Sequence, residues 1–571
     1  MDNREVFIGM LEEMAILLEL AGENPFKIRA YENAGRLLAN TPQALEDLIE
    51  SPPKGIGAGL QEKLREFQQT GLIAELSELK SRFPATLFDL LKIQGVGPKK
   101  VKTLFEDLHI ATLTDLETAC RENRLESVKG FGKKTQENIL RGIQRVKRFK
   151  GLFLFSEAEQ VAEAVCAYLR QAFPDQLFQI AGSLRRCKEV VKDVDILAAS
   201  AAPAALMKHF VAYPQQARIL QEGETKSAIQ LESGLQIDLR VVPPDCFGPA
   251  LCHFTGSKEH NTRMRSLANA QGKKLNEYGL FENGRALPLK TETDVFAALG
   301  LPYIAPELRE DLGEIEWAQQ QSLPPLVERS DLIGAVHCHS TFSDGMGTLE
   351  QMAAAAQTAG LRWFGIADHS RSAFYARGME PERVLEQWKA IDELNASLKG
   401  FRLLKGIESD ILPDGGLDYQ THLLEGFDFV IASIHSSFSM TAAEMTDRIL
   451  KAVANPFTDI LGHPTGRLLL AREEYSIDLD RILQACLEHQ VIVEINANPI
   501  RLDLDWRKVR QWRDSGLKFV ICPDAHSPNG IADIRYGLGV ARKGGLRADN
   551  LLNSVDVDEF RGAIRRRRSA R

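Results

Sequence analysis

The sequence is poor in cysteine and places none of it as a close pair: eight residues among 571, with no C-x-x-C. That excludes a dense disulfide framework and fits free thiols in a reducing cytoplasm. It has no hydrophobic run approaching the ~20 residues needed to span a bilayer. The opening "MDNREVFIGM" is too polar for a signal peptide. Aromatics make up only 7%, so extensive base-stacking platforms are not indicated. There is no net positive charge: the balance is −8, so any nucleic acid must be held by local basic patches and backbone amides. What remains is ordinary for globular protein, 44% hydrophobic and 26% charged. The length implies roughly three to five domains.

The rhythm of the chain changes twice. Residues 1–150 read as amphipathic helices punctuated by Gly-x-Gly turns. Residues 150–250 mix helix with short β-branched runs such as "DVDILAAS" and "LQIDLRVVP", and 251–315 read as a small mixed domain. "AQQQSLPPLVERSD" (318–331) has the polarity and the Pro-Pro pair of a linker. Beyond it seven strand-like runs recur: "LIGAVHCH", "RWFGIADH", "RLLKGIESD", "FDFVIASIH", "DILGHP", "VIVEINAN" and "KFVICPDAH". Helix-like segments separate most of them, which predicts a βα barrel short of the eight-fold type.

Three stretches share one plan: "PKGIGAGLQEKLREF", "IQGVGPKKVKTLFEDL" and "VKGFGKKTQENILRGI". In each a Gly-hydrophobic-Gly turn opens a helix, at Gly55 and Gly57, Gly95 and Gly97, and Gly130 and Gly132. Glycine permits positive φ, so successive N–H groups can point at one phosphate, and the following helix N-terminus adds its partial positive charge. Lys99–Lys100 and Lys133–Lys134 strengthen that reading. Nothing in the arrangement reads bases.

"AGSLRRCKEVVKDVDILAAS" (181–200) carries a second constellation. Asp193 and Asp195 share a strand face, and Asp238 joins them if its strand pairs alongside. Three carboxylates suit hard divalent cations, Mg²⁺ above all. Gly182 and Ser183 offer a phosphate cradle upstream. The set fits two-metal nucleotidyl transfer.

Eight of the twelve histidines follow residue 330. His337, His339, His369, His435, His463 and His526 close strand-like runs, and Asp344, Glu408 and Asp524 lie among them. The C-terminal strand ends of a βα barrel converge on one mouth. In "HCH" the imidazoles share a face while Cys338 points into the core. Nitrogen and oxygen donors without thiolate suit Mn²⁺, Zn²⁺ or Fe²⁺, and clustered ions of this kind hydrolyse phosphoesters.

These motifs resemble known families. The Gly-x-Gly stretches resemble helix-hairpin-helix motifs. "GSLRRCKEVVKDVDIL", "IDLRVVP", "FTGSKEHNTRMR" and "NEYGL" resemble the palm and thumb of family X DNA polymerases, the family of DNA polymerase beta. The resemblance implies that Asp193, Asp195 and Asp238 bind Mg²⁺ or Mn²⁺, and that Ser183 and Arg186 meet the triphosphate. Gly256, Ser257, Asn261 and Arg265 would face the nucleotide and template, with Arg240, Glu277 and Tyr278 linked to closure. His253 stands where the family has Tyr, which puts sugar discrimination in doubt. "FKIRAYENAG" and "GIGAGLQEKLREF" resemble the family's lyase domain. There Lys63 would be the Schiff-base nucleophile, with Lys27 and Tyr31 in its pocket. Such a lysine must be partly deprotonated. Gly59 replaces a second family lysine.

"HCHSTFSDG", "ADH", "GIE", "SIH", "GHP" and "PDAH" resemble a PHP (polymerase and histidinol phosphatase) domain. The resemblance implies two or three Mn²⁺ or Zn²⁺ ions. His337, His339, Glu408 and Asp524 would hold the first, and His435 would share Glu408 at a second. Asp344, His369, His463 and His526 would complete the set.

Together the resemblances imply a multidomain α/β chain. Residues 1–80 form a helical lyase-like domain and 81–148 a fingers-like domain, both with helix-hairpin-helix motifs. A nucleotidyltransferase-type palm follows at 149–250, a thumb at 251–317, a linker at 318–330 and a (βα)7-like PHP barrel at 331–571. The implied function is gap filling in base excision repair, on gapped or nicked DNA with deoxynucleoside triphosphates. The barrel would add a 3′→5′ exonuclease, 3′-phosphatase or abasic endonuclease. A monomer in the cytoplasm, on the nucleoid, is expected. Two rivals are a small-molecule phosphatase with a DNA-binding N-terminal half, and a non-catalytic scaffold for DNA ends. The terminal "RRRRSAR" reads as a disordered, solvated tail.

Overall fold

A computed structural model describes residues 3–39, 45, 47–49, 53, 55–93 and 95–569. The chain divides into two compact units, Met1–Lys150 and Gly151–Arg571.

The first unit is helical throughout its described residues. Its last helix, Lys133–Phe149, shows why: Gln136, Ile139, Gly142 and Ile143 recur at helical spacing and are buried, while the other faces are basic and polar. Gly142 lets that helix close on its neighbour, since a Cβ there would lie 2.5 Å from Ile93. Phe7, Leu11, Leu64, Val101, Leu104 and Leu116 belong to the same core.

The second unit begins with a five-stranded sheet. Its strands are β1 (Leu177–Ile180), β2 (Asp193–Ala199), β3 (Gln216–Gln221), β4 (Lys226–Leu231) and β5 (Gln236–Val242). Their order is β1-β2-β5-β4-β3, with β2 and β5 parallel and the other pairs antiparallel. Val194, Ile196 and Ala198 enter the core on one face of β2, beneath helices Phe155–Ala172 and Pro203–Val211. The intervening aspartates are thereby turned to the other face. A smaller α/β segment follows, with helices Phe247–Thr255 and Lys258–Ala270, a three-stranded antiparallel sheet, and a core around Met264, Leu280 and Phe296.

All seven runs expected as barrel strands are strands: β6 (Gly334–Cys338), β7 (Trp363–Ile366), β8 (Arg402–Asp410), β9 (Phe429–Ser433), β10 (Ile460–Leu461), β11 (Ile492–Asn496) and β12 (Phe519–Cys522). They pair in chain order and all in parallel. The ring nearly closes where His339 N–H donates to the Ala525 carbonyl at 2.9 Å, just beyond β12. Val336, Trp363, Phe429, Ile431 and Val520 fill its interior.

Two expectations need correction. The basic C-terminus is helical rather than disordered: the last helix runs Val557–Ser569. Phe560 and Ile564, one turn apart, are buried against the barrel interior and hold it there, the Phe560 ring 4.6 Å from that of Trp363. Ala570 and Arg571 lie outside the described residues. The expected linker is also partly packed. Val327 is fully buried with its N–H on the Leu546 carbonyl, and Glu328 pairs with Arg542.

Gly334 opens the barrel because nothing larger fits: a Cβ there would lie 1.8 Å from the Trp363 ring. Gly334→Ala should therefore lower the denaturation midpoint, at an overpacking cost of ~1–3 kcal/mol. An unchanged midpoint in urea would contradict this packing.

Candidate active sites

In the palm sheet the parallel pairing of β2 with β5 sets Asp195 opposite Asp238 in register. The three carboxylates feel one another. Burial lifts the Asp195 carboxyl to about 7, and the charges of Asp193 and Asp238 add to the rise. Asp193 is raised too, by burial and then by Asp238. Asp238 Oδ2 accepts from Gln236 Nε2 at 2.9 Å, while its buried Oδ1 has no partner. An unpartnered buried carboxylate oxygen is an open ligand position, so the donor set fits a divalent ion. Gly182 adopts φ +61°, and a Cβ there would lie 2.0 Å from Asp195 Oδ2. Only glycine lets the turn of Ser183 approach the acids so closely.

Arg186 is held rather than free. Its Nε donates to Glu310 at 3.0 Å and its Nη1 to the Thr255 carbonyl at 2.5 Å. Glu310 also accepts from Lys543 at 2.6 Å, a fully buried lysine from barrel helix Ile534–Gly544, whose amine also donates to the Arg186 carbonyl at 2.7 Å. The two guanidinium nitrogens tied to protein leave Nη2 for a ligand. Gly256 adopts φ +72° beside Arg186, and Ser257 caps helix Lys258–Ala270 by accepting from His260 N–H. Asn261 donates to the His253 carbonyl at 2.6 Å, and Arg265 Nε to the Asn261 carbonyl at 3.3 Å. Pro249, His253, Asn261, Arg265 and Asn276 line one small cavity. Burial depresses His253, which stays neutral. Arg240 lies over the Phe254 ring, and Tyr278 is exposed.

The barrel mouth brings all nine expected donors together. Glu408 is its centre: His463 Nε2 and His337 Nε2 lie 3.0 and 3.1 Å from Oε1, His435 Nε2 lies 3.2 Å from Oε1, and His369 Nδ1 lies 2.9 Å from Oε2. His339 stands 3.3 Å from Asp524, and Asp344 lies 3.7 and 3.6 Å from His369 and His526. Donor atoms fall within 4.8 Å of one another in several sets, including His337–His339–Glu408, His369–Glu408–His435 and His339–Asp344–His369–His526. His463 groups with His337 and Asp524. Among the described residues such close sets occur only in the barrel; the palm acids stand further apart.

The acids and two of the imidazoles already hold the charge state a cation needs, whereas the neighbouring carboxylates, Glu408 among them, raise His337, His369 and His435 against burial, so a cation must displace their protons. Burial opposes ionisation of Glu408, yet His435, His337 and His369 hold it well below the usual range. Asp524 is likewise held ionised against burial, first by His337. Burial and the neighbouring His526 and His369 keep His339 neutral. Burial, then Arg501, depresses His463 to about 3. Both nitrogens of His339, Nδ1 of His463, Nε2 of His337 and Oε2 of Glu408 are buried and make no aligned hydrogen bond, their close approaches within the cluster being misdirected for one. Buried polar atoms rarely stay unpaired, so the set fits metal ions.

The two imidazoles of "HCH" do share the interior while Cys338 packs outward in the core. Simple alternation does not achieve this. Val336 already points inward, and the pairing of β6 shifts between Ala335 and Cys338. His337 takes φ +61°, a bulge that turns it inward after Val336.

Sequence reasoning missed the groups that orient the donors. Glu494 accepts from His337 Nδ1 at 2.9 Å, and Asp410 lies 2.5 Å from His435 Nδ1. Asn496 donates to Glu494 and Asp524 at 2.7 and 3.0 Å. Arg501 Nε approaches Asp524 at 3.4 Å, with its buried Nη1 unpartnered. A signal existed: Asp410 follows Glu408 by two residues on one strand, and Glu494 and Asn496 end β11.

In the helical unit each Gly-x-Gly turn has the expected backbone. Gly55, Gly95 and Gly130 have φ of +118°, +81° and +92°. Gly57, Gly97 and Gly132 are the N-caps of the following helices and make no side-chain cap bond. A Cβ on any of these three caps would meet nothing, so the space before the free N–H groups is open. Lys99, Lys133 and Lys134 are exposed, whereas Lys100 donates to the Gly95 carbonyl at 2.8 Å.

Lys27, Tyr31 and Lys63 also meet, all on Glu75. Lys27 Nζ lies 2.9 Å and Tyr31 OH 3.4 Å from that carboxylate, and Lys63 ion-pairs with it. The expected deprotonated nucleophile is not what this produces. Burial pulls the Lys63 amine down, but Glu75 raises it beyond its ordinary value, so Lys63 is held charged.

Comparison with known proteins agrees with this anatomy. Residues 1–73 match the helix-hairpin-helix domain and 87–145 the SAM-like helix-hairpin-helix tandem. Residues 250–310 match the DNA polymerase beta thumb and 335–498 the PHP domain. The chain is 36% identical over 569 residues to the DNA polymerase/3′-5′ exonuclease PolX of Bacillus subtilis (strain 168), covering 99% of this chain and 100% of that one. It is 27% identical over 289 residues to DNA polymerase lambda of Rattus norvegicus, 45% of this chain and 47% of that one. It is 26% identical over 252 residues to a probable phosphatase of Thermoanaerobacter sp. (strain X514), 42% of this chain and 96% of that one.

Two outcomes follow from the electrostatics. A cation entering the palm must displace the Asp195 proton below pH about 7. Its apparent Mg²⁺ affinity should fall about tenfold per pH unit below that point and level off above it, measured by titration calorimetry. A carboxyl raised on folding also binds more protons folded than unfolded, so the metal-free protein should lose stability as pH rises from ~4 to about 7. For the lysine, borohydride trapping of a 5′-deoxyribose phosphate end should be weak with the parent. It should rise in Glu75→Gln, which removes the charge that holds Lys63 protonated; equal trapping would disprove that role for Glu75.

Proposed function

Because the chain belongs to the family of the DNA polymerase/3′-5′ exonuclease PolX, family X DNA polymerases with a C-terminal PHP domain, we propose that it fills short gaps in DNA during repair and trims 3′ ends with a second centre. One observation carries the reading: one chain holds two separate acid-rich clusters, the in-register Asp195–Asp238 pair with Asp193, and nine donors centred on Glu408, itself one of them.

The assigned roles follow the geometry. Asp193, Asp195 and Asp238 would hold Mg²⁺ or Mn²⁺. Gly182, Ser183 and Arg186 would receive the triphosphate, and Gly256, Ser257, Asn261 and Arg265 the nucleotide and template. In the barrel His337, His339, Glu408 and Asp524 would hold a first Mn²⁺ or Zn²⁺. His369 and His435 would share Glu408 at a second, and Asp344 and His526 would close a third. When bound, such ions supply Lewis acidity to a phosphoryl group.

The chain's own residues do the positioning. Glu494 and Asp410 fix the tautomer and orientation of His337 and His435, as carboxylates behind metal-binding imidazoles do. Arg501 offers a guanidinium to the phosphoryl oxygens. The three Gly-x-Gly turns grip the DNA backbone without reading sequence. Removal of 3′ phosphates and cutting at abasic sites need the same hydrolytic chemistry and belong to the same proposal. The domain boundaries are proposed at 80, 148, 250, 317 and 330, and the place of work is the cytoplasm, on the nucleoid. Among the described residues no helix is long and apolar enough to cross a membrane.

The decisive pair is Asp193→Ala and His337→Ala, assayed on gapped DNA with Mn²⁺. The first should lose nucleotide addition by about 100-fold or more and keep 3′ degradation; the second should do the reverse. If His337→Ala degrades 3′ ends at the parent rate, the barrel is not the nuclease.

A further inference from the structure

Beyond the donor cluster, we infer that Phe374 and Tyr375 form a nucleobase-stacking site on the rim of the barrel mouth. Its ligand is the terminal base of a 3′ end whose phosphodiester lies over Glu408. The inference deepens the reading of the barrel as a 3′ nuclease and rests on it.

The two rings sit on the turn that follows His369. Phe374 is 85% exposed and Tyr375 68% exposed, consecutive in the chain. Single exposed hydrophobics need no explanation, but adjacent rings at the rim of a polar site do. The Tyr375 ring centroid lies 6.1 Å from that of His369 and 6.3 Å from that of His435. It therefore borders the donors themselves.

The turn that carries the rings is anchored through its backbone and its buried side chains. Ser372 places its N–H and hydroxyl on Asp418 at 2.7 and 2.5 Å. Met379 N–H donates to the His369 carbonyl at 2.9 Å. Gly378 packs against Ser370, where a Cβ would come within 2.0 Å of the carbonyl oxygen. Ala373, Ala376 and Met379 are fully buried beneath it. The anchoring side chains point in, and the two aromatic ones point out.

The occupant follows from the chemistry around the pair. A base has a π-face, and stacking on an aromatic ring tolerates every sequence, which suits a nuclease that must accept any terminal nucleotide. Arg371 and Arg377, both exposed, flank the rings in sequence; Arg371 Nε lies 3.5 Å from Asp418, and the two cations complement backbone phosphate. A nucleotide with its phosphate at Glu408 has its base within reach of the adjoining rim. Overall scarcity of aromatics excludes an extended platform, but a single clamp needs only these two.

The test uses the full-length chain and a single-stranded oligonucleotide ending in 2-aminopurine. In Ca²⁺, the parent should quench the terminal fluorophore, and Phe374→Ala/Tyr375→Ala should lose that quench. In Mn²⁺, the double variant should raise KM about tenfold on base-ended strands at unchanged kcat. On strands ending in an abasic nucleotide, variant and parent should match. Phe374→Tyr and Tyr375→Phe should each keep parent KM, because stacking survives those changes. Equal quench and equal KM in the double variant would overturn the stacking site. If His337→Ala still degrades DNA normally, the nuclease reading fails instead, while the Ca²⁺ quench continues to report on the rings alone.

Discussion

Glu408 is buried at the convergence of His337, His369, His435 and His463, and a carboxylate in that position cannot stand alone. Its isolated charge would cost many kcal/mol to remove from water. The barrel meets that cost by surrounding it with groups able to carry positive charge or to coordinate it. The rest of the mouth follows from this one constraint. Donors must enter from several strands, so the sheet must be parallel and nearly closed, with its strand ends on one side. Their orientation must be fixed from behind, which Glu494 and Asp410 do.

Holding the donors also strains the backbone. His337, His463 and Asp524 all have positive φ, at +61°, +23° and +52°. Non-glycine residues in that region cost ~1–3 kcal/mol each and persist only when their surroundings over-determine them. Here the surroundings are the filled interior below, plugged by Phe560 and Ile564, and the outer layer of helices. Stability is concentrated away from the mouth, and the mouth uses it.

The barrel and palm are also wired to each other. Buried Lys543 reaches from a barrel helix to Glu310 and to the carbonyl of Arg186, the same arginine that Glu310 holds. A residue proposed to meet the triphosphate is thus set partly by the hydrolytic domain. In the two centres the proton that a cation displaces sits on different groups. In the palm, burial and then like charges raise Asp193 and Asp195, so cation entry is coupled to proton loss. In the barrel, imidazoles keep Glu408 and Asp524 ionised from the start, and the protons lie on His337, His369 and His435 instead.

Local chemistry was largely legible in the amino-acid order. Donors at strand ends, Asp-x-Asp on a strand and glycines before helices are short-range patterns, and recurring short apolar runs between helix-like segments placed the seven barrel strands. The inward turn of His337 was not legible, because it depends on a shift in pairing with the neighbouring strand rather than on alternation. Nor was the charge on Lys63, set by Glu75 from another helix, or the order of the basic tail, set by where Phe560 lands. The sequence by itself determined which atoms could bind metal, phosphate and DNA. Only the tertiary structure decided which of them meet, which are oriented by a second carboxylate, and what charge each carries. Those properties arise from burial and from neighbours distant in the chain, and no local pattern encodes them.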